Sequence, residues 1–498
     1  MSETTQATDR APGLRQETLG ALSIDVPPYD RRAVTASVVH IGVGGFHRAH
    51  QAVYLDEVLR RGELEWGICG VGLLPGDADV RDAALAQDGL YVLVAARPDG
   101  SEEARVVGSI VDYRFGPGDP ERVLEVLTAP TTRIVTLTVT EGGYGVSDVT
   151  GRFEPEDELT LADLEGEGAP RSVLGYLTEA LRRRRERGLV PFTVVSCDNI
   201  RSNGTVARTA LTSFARVRDP ELADWIEEHV AFPSSMVDRI TPVTTAETRE
   251  AVATAYGVLD RWPVRSESYL QWVLEDHFPA GRPDLAAVGV QLVDDVEPYE
   301  LMKLHLLNAS HQVMSYVGLL AGYTWVHEAA RDDAIRALLS AYMRHEAMPT
   351  LRPVPGIDLD AYCDQLLERF GSEAVRDTLE RQVVDASDRL PKFVLPVLRE
   401  RLRSGRSAEC CALVLAAWSR HLEAGEVRDA RSAELLEAVR READEPGALL
   451  RYTPVFGDLG ADERLVRSYT RLRAELASRP TLAVVADVAA ATLRGEHP

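Results

Sequence analysis

The run Lys303-Leu-His-Leu-Leu-Asn308-Ala-Ser-His311 puts an amine, a carboxamide and an imidazole within nine residues. At about 100° per helical residue, Asn308 and His311 would lie about 140° and 80° round from Lys303, so all three can look the same way. A desolvated lysine amine can act as general base towards a secondary alcohol, while Asn and His donate hydrogen bonds to the oxygen as charge develops on it. A surface lysine next to a buried, satisfied histidine is the plainer reading of such a stretch. Composition tips the balance. Only two of the 55 basic residues are lysines, Lys303 and Lys392, and only three asparagines occur, Asn199, Asn203 and Asn308. Arginine cannot give up its proton near neutral pH, so a lysine kept in so arginine-biased a chain points to proton chemistry. Glu300, one turn earlier, could pair with Lys303 or pass its proton to solvent.

Gly42-Val-Gly44-Gly45 offers a different chemistry: a tight turn whose amides can approach a pyrophosphate at a helix N-terminus. His47 stands where a third glycine is usual, and a ligand-free glycine turn stays open as a reading. Asp77, after the next apolar run, can accept from a ribose 2′-hydroxyl and repel a 2′-phosphate, which favours NAD over NADP; alternatively it caps a helix starting at Ala78. Asn199 ends an apolar run, on the carboxyl side where open α/β sheets bind ligands, whereas the Asn203-Gly pair reads as a turn. No Cys, His and Glu set resembles a catalytic zinc site, so no metal is expected.

These groups need elements to hold them. Ala36 to Ile41, Trp66 to Val71, Tyr91 to Ala95, Ala104 to Tyr113, Arg133 to Val139 and Phe192 to Ser196 read as strands, alternating with helices up to Leu59 and over Asp77 to Gln87. Several are apolar on both faces, as parallel strands covered by helices are. The fold class expected is therefore α/β: a polar, mobile arm over 1–30, a Rossmann-type doubly wound domain over 31–295, and a mainly α-helical domain over 296–498. Helical periodicity there covers Pro298 to Leu320, Asp332 to Arg344, Leu359 to Phe370, Ala408 to Leu422 and Ser432 to Ala443, with Pro298 starting and Gly322 stopping the first. The acidic stretch Glu154 to Glu167 reads as a solvated surface excursion.

A net charge of −23 repels nucleic-acid backbones and anionic membranes, so neither is an expected partner. Five scattered cysteines without a Cys-x-x-Cys pair, no signal-like apolar core and no membrane-length apolar run predict a reduced, cytoplasmic protein. A monomer is expected.

His40-Ile-Gly-Val-Gly-Gly-Phe-His-Arg-Ala-His-Gln51, Thr140-Glu-Gly-Gly-Tyr144, Ser196-Cys-Asp-Asn199, Phe232 to Ile240, Gln271-Trp-Val-Leu-Glu275 and the Lys303 helix together resemble the mannitol dehydrogenase family of polyol-specific long-chain dehydrogenases. The resemblance runs from about residue 20 over nearly the whole chain. It implies zinc-independent, NAD-dependent interconversion of a polyol and a ketose, D-mannitol and D-fructose first, with the substrate bound between two domains. It makes Lys303 the base, Asn308 and His311 the oxyanion donors and Glu300 the gate of a proton path. It sets Asn199, Asp238 and Arg381 in the substrate pocket, and Gly42, Gly44, Gly45, Phe46 and Asp77 at the cofactor. Two departures bear on selectivity: Asp385-Ala-Ser-Asp-Arg-Leu-Pro391 replaces a segment that usually carries Gly and Lys, and Gly76 replaces an acidic neighbour of Asp77. Arabinitol, sorbitol or a hexuronate (fructuronate or tagaturonate, held by Arg381 and Arg389) are the alternative substrates. A nucleotide-binding sensor is the non-enzymatic alternative.

Overall fold

The first strand, β1 (Ala36–Ile41), sends alternate side chains into two separate cores, Val38 into one and Val39 and Ile41 into the other. A strand buried on both faces belongs in the middle of a helix-covered parallel sheet. A computed structural model, which describes residues 12–147, 150–166, 168–374, 376–425 and 427–495, places it there. β1 is flanked by β2 (Gly67–Gly72) and β6 (Ile134–Leu137), with Ile41 level with Val71 and Leu137. β5 (Ile110–Phe115) and β7 (Thr193–Ser196) complete an all-parallel sheet of order β5-β2-β1-β6-β7. The order reverses between β1 and β6, and at such a switch point the strand ends open a crevice for ligands.

This sheet holds five strands, fewer than a single sheet spanning 35–295 would have. The rest of the first unit contributes two three-stranded sheets, one of β3 (Tyr91–Ala96), β4 (Glu102–Val107) and β9 (Val264–Glu267), the other of β8 (Ser235–Asp238), β10 (Gln271–Glu275) and β11 (Gln291–Val293). The run from Ala104 to Tyr113, expected as one strand, breaks at Gly108-Ser109. There the chain passes so close to the N-terminal segment that a Cβ on Gly108 would meet Pro27 at 2.7 Å. Nor is the whole N-terminal arm loose: Leu14 and Leu19 are buried, and Gly13 bridges to Leu259, while residues 1–11 lie outside the described residues. The acidic stretch is likewise more than a solvated excursion, since it forms a helix (Glu158–Glu165) whose buried Asp163 accepts from the Arg171 and Ser172 amides.

A second compact unit begins at Glu297, and beyond β11 the named elements of the described residues are all helical. Its centre is formed by helices apolar around most of their circumference, Ala309–Leu320 and Glu409–Glu423. Gly322, at φ +91°, stops the first of these in a conformation that favours glycine. The stretch expected as one helix from Pro298 to Leu320 is three pieces: an α-helix (Glu297–Met302), a π-helical turn (Lys303–Asn308) and the α-helix from Ala309. A second π turn, Tyr342–Ala347, extends the helix Asp333–Ala341. Among the described residues no helix is long and apolar enough to cross a membrane, and no three His, Cys, Asp or Glu side chains gather as a metal site.

Candidate active site

At the carboxyl end of β1, Gly42 adopts φ +95°, and a Cβ there would lie 2.1 Å from the Thr138 carbonyl oxygen, so only glycine fits. Gly44 and Gly45 are open by contrast: a Cβ on either would meet nothing nearer than 3.8 Å. The turn leads into the short helix Gly45–Ala49, where half-buried Phe46 stacks on His50 with ring centroids 5.0 Å apart. Beneath it His40 and His47 stack at 3.4 Å, and His40 is held by Thr136 Oγ1 at 2.7 Å and Thr138 Oγ1 at 2.9 Å. Burial pushes the His40 imidazole down to about 3 and outweighs the Gly42 carbonyl that favours its charge. Burial, and then the nearness of His40, hold His47 well below the usual histidine range. This neutral pair, not foreseen as part of the site, forms the floor of the glycine turn.

Asp77 lies just past β2, where Oδ2 accepts from the Leu74 amide at 2.9 Å and so fixes its own loop. It makes no side-chain cap to the helix that starts at Ala78. At the ends of β6 and β7, Asp198 accepts from the Val139 and Thr140 amides at 3.0 Å each and from the Tyr144 hydroxyl at 2.7 Å. Burial outweighs these donors and leaves the Asp198 carboxyl above its ordinary range. Thr140 is held at φ +65°, an uncommon conformation of the kind that collects at functional loops. Asn199 is exposed on the loop after β7, and Asp238 is buried at the end of β8. Asn203, expected in a turn, instead opens a helix; its Nδ2 donates to the Asp198 and Ser235 carbonyls at 3.1 and 2.8 Å, tying the loop that carries Asn199 to the start of β8, the strand that ends at Asp238.

In the helical unit Glu300 and Lys303 are buried, and Asn308 and His311 are half-buried. A π turn closes hydrogen bonds between residues five apart, as the Ala309 amide does to the Leu304 carbonyl, and advances only about 80° per residue. Counted that way, Asn308 lies about 40° and His311 about 20° from the Lys303 direction, where a straight α-helix would spread the three over about 140°. The inserted residue therefore gathers the amine, carboxamide and imidazole on one side. Asn308 Oδ1 is buried without a hydrogen-bond partner among the described residues. His311 packs against Phe370 at 4.9 Å. Arg381, on the solvent side, makes two 2.6 Å bonds to Asp377, a residue missed by the motif reading although it stands four positions before Arg381. Burial would raise the Asp377 carboxyl, but Arg381, then His311 and Gln382, hold it below its ordinary range.

The profile of the mannitol dehydrogenase Rossmann domain matches residues 36–287, and that of the mannitol dehydrogenase C-terminal domain matches residues 295–476. The chain belongs to the mannitol dehydrogenase family. Mannitol 2-dehydrogenase of Phaeosphaeria nodorum is 44% identical over 455 residues, covering 89% of this chain and 80% of that one. Among solved structures, the Pseudomonas fluorescens mannitol 2-dehydrogenase ternary complex with NAD and D-mannitol is 40% identical with a TM-score of 0.85, covering 95% of this chain and 98% of that one. A substrate-free D-sorbitol dehydrogenase is 37% identical with a TM-score of 0.87, covering 95% and 100%. Within the mannitol dehydrogenase fold, Gly42, Gly44, Gly45, Phe46, Asp77, Asn199 and Asp238 fall in the Rossmann match and Glu300, Lys303, Asn308, His311 and Arg381 in the C-terminal match.

Proposed function

We propose that this chain oxidises a secondary alcohol of a polyol to a ketose with NAD and runs the reduction in reverse, D-mannitol and D-fructose being the pair. The observation that carries the reading is the buried Lys303 amine with Asn308 and His311 brought to its side by the π turn. Lys303 Nζ takes the hydroxyl proton, and Asn308 and His311 donate to the same oxygen as negative charge grows on it. Glu300, buried one turn away, hands the proton on from Nζ. Asn199 and Asp238 bind further hydroxyls of the polyol. Arg381 completes the pocket through Asp377, which it keeps ionised next to His311.

The glycine turn suits NAD: Gly44 and Gly45 leave a cradle that any Cβ would fill, with amides of a helix start beside it. Bound there, NAD supplies the two-electron acceptor. The Asp77 carboxylate, half-exposed at the end of β2, accepts from the ribose and opposes a 2′-phosphate. A hexuronate would need a cation for its carboxylate, but Arg381 is already committed to Asp377 through two bonds and Arg389 donates to the Gln382 carbonyl at 3.2 Å. Free, buried thiols at all five cysteines support a reduced, cytoplasmic setting, and the strong negative charge supports a monomer.

The decisive test is at Lys303. Lys303→Ala should lose 10²- to 10⁴-fold in kcat for mannitol oxidation, the usual cost of an acid–base group, with NAD affinity unchanged. Lys303→Arg keeps the charge but cannot deprotonate, so it should be nearly as inactive. Wild-type oxidation should rise with pH through one ionisation while fructose reduction falls. Near-normal oxidation by Lys303→Arg would overturn the mechanism, and faster turnover of fructuronate than of any polyol would overturn the substrate class.

A further inference from the structure

The π turn at Lys303–Asn308 carries an inserted residue, which spreads the amide-to-carbonyl ladder and needs outside support to persist. That support is visible. The hydroxyl of Tyr342, a fully buried side chain, donates to the backbone carbonyl of His305 at 3.1 Å, in the middle of the turn. Burial, followed by the nearby Cys411, Glu346 and Cys410, holds the Tyr342 phenol far above its ordinary range, so it remains a donor at every working pH.

Tyr342 is itself the first residue of the second π turn, Tyr342–Ala347. Four residues on, the buried Glu346 carboxylate accepts from the Cys410 and Cys411 amides at 2.7 and 3.0 Å. Those amides begin the helix Glu409–Glu423, whose own N-cap residue, Ala408, offers no side-chain acceptor. Glu346 thus caps a central buried helix from another segment, and in doing so anchors the turn that presents Tyr342.

We propose that Tyr342 is a positioning residue for the reaction: through the His305 carbonyl, and anchored by Glu346, it clamps the π turn that keeps Asn308 and His311 on the Lys303 side. The proposal rests on Lys303 being the proton acceptor. Without the clamp the turn can relax to α-helical winding, which swings Asn308 from about 40° to about 140° from Lys303 and separates base from oxyanion donor. Tyr342 touches neither substrate nor cofactor; it acts on the geometry of groups that do.

The test uses the whole chain with Tyr342→Phe, which removes one oxygen and keeps the ring. Amide hydrogen exchange over residues 303–309 should speed up about 10-fold while the other core helices stay protected, kcat for mannitol oxidation should fall about 5- to 20-fold, and the midpoint of its pH–rate profile should move. Glu346→Gln should shift the same readouts in the same direction by less, which covers the case of a poorly folding Tyr342→Phe. An unmoved exchange rate would overturn the clamp, and so would faster exchange or a lower Tm with an unmoved midpoint, since that marks a purely structural tyrosine. Lys303→Ala is measured in parallel: an active Lys303→Ala sinks the base assignment, whereas an unmoved exchange rate in Tyr342→Phe with an inactive Lys303→Ala sinks the clamp alone.

Discussion

His40 and His47 make a pH-dependent contribution to stability whose sign follows from their burial. An unfolded histidine titrates near 6.5, whereas folded His40 titrates at about 3 and His47 well below its ordinary value, with Arg48 and His50 also opposing charge on His47. Between those limits the unfolded chain binds protons that the folded one refuses. Stability is therefore flat above about pH 6.5 and falls as the pH drops, by about 1.4 kcal/mol per pH unit for each histidine. Other buried groups, such as the carboxyls of Asp198 and Glu346, which burial raises above their ordinary range, add pH dependence of their own. The informative quantity is therefore the difference between wild type and a His47→Asn variant. Denaturant unfolding from pH 8 to pH 4 should show an acid slope shallower by about 1.4 kcal/mol per unit in the variant. Equal slopes would mean that His47 takes up its proton inside the folded protein.

At the scale of the element, the glycine turn separates a residue needed by the fold from one needed by the ligand. Gly42→Ala forces a side chain at φ +95° into the Thr138 carbonyl, 2.1 Å away, and should cost upwards of about 3 kcal/mol. Gly44→Ala meets nothing within 3.8 Å, so its stability should stay within about 1 kcal/mol of wild type. Its added methyl projects into the open cradle, and NAD binding, measured by calorimetry, should weaken at least 10-fold. Normal NAD affinity in Gly44→Ala would place the pyrophosphate elsewhere. The turn was legible in the sequence because Ala36 to Ile41 is apolar on both faces and ends on glycines. The Lys303 cluster was legible because lysine and asparagine are so rare here. The π turn was not, because Leu304, Leu306 and Leu307 supply an apolar side to an α-helix or a π-helix alike, and what selects the wider turn is a hydroxyl 37 residues away. The same holds for Asn203, whose dipeptide reads as a turn until the Asp198 carbonyl from the loop just before it and the Ser235 carbonyl from β8, 32 residues on, claim its carboxamide.

For the whole molecule the net charge of −23 sets up a competition between long-range repulsion and short-range pairing. Contact pairs are numerous, among them Arg182–Glu179 at 2.8 Å and Arg216–Asp224 at 2.8 Å, but most are exposed, and such pairs are worth about 0–1 kcal/mol each. The excess carboxylates repel one another over much longer distances. Salt at ~0.1 M shortens the Debye length to about 10 Å, which removes repulsion between separated charges while leaving partners under 3 Å apart mostly intact. Repulsion should therefore lose more than pairing does. Raising sodium chloride from 10 to 150 mM at pH 8, where the carboxylates are ionised, should lift the Tm by a few degrees, with little further gain once the screening length approaches the spacing of contact pairs. Calorimetric scans at matched pH measure this directly. A Tm that falls over the same range would mean that the arginine–carboxylate pairs act as a stabilising network, and that the acidic excess is spread too thinly over the surface to oppose folding.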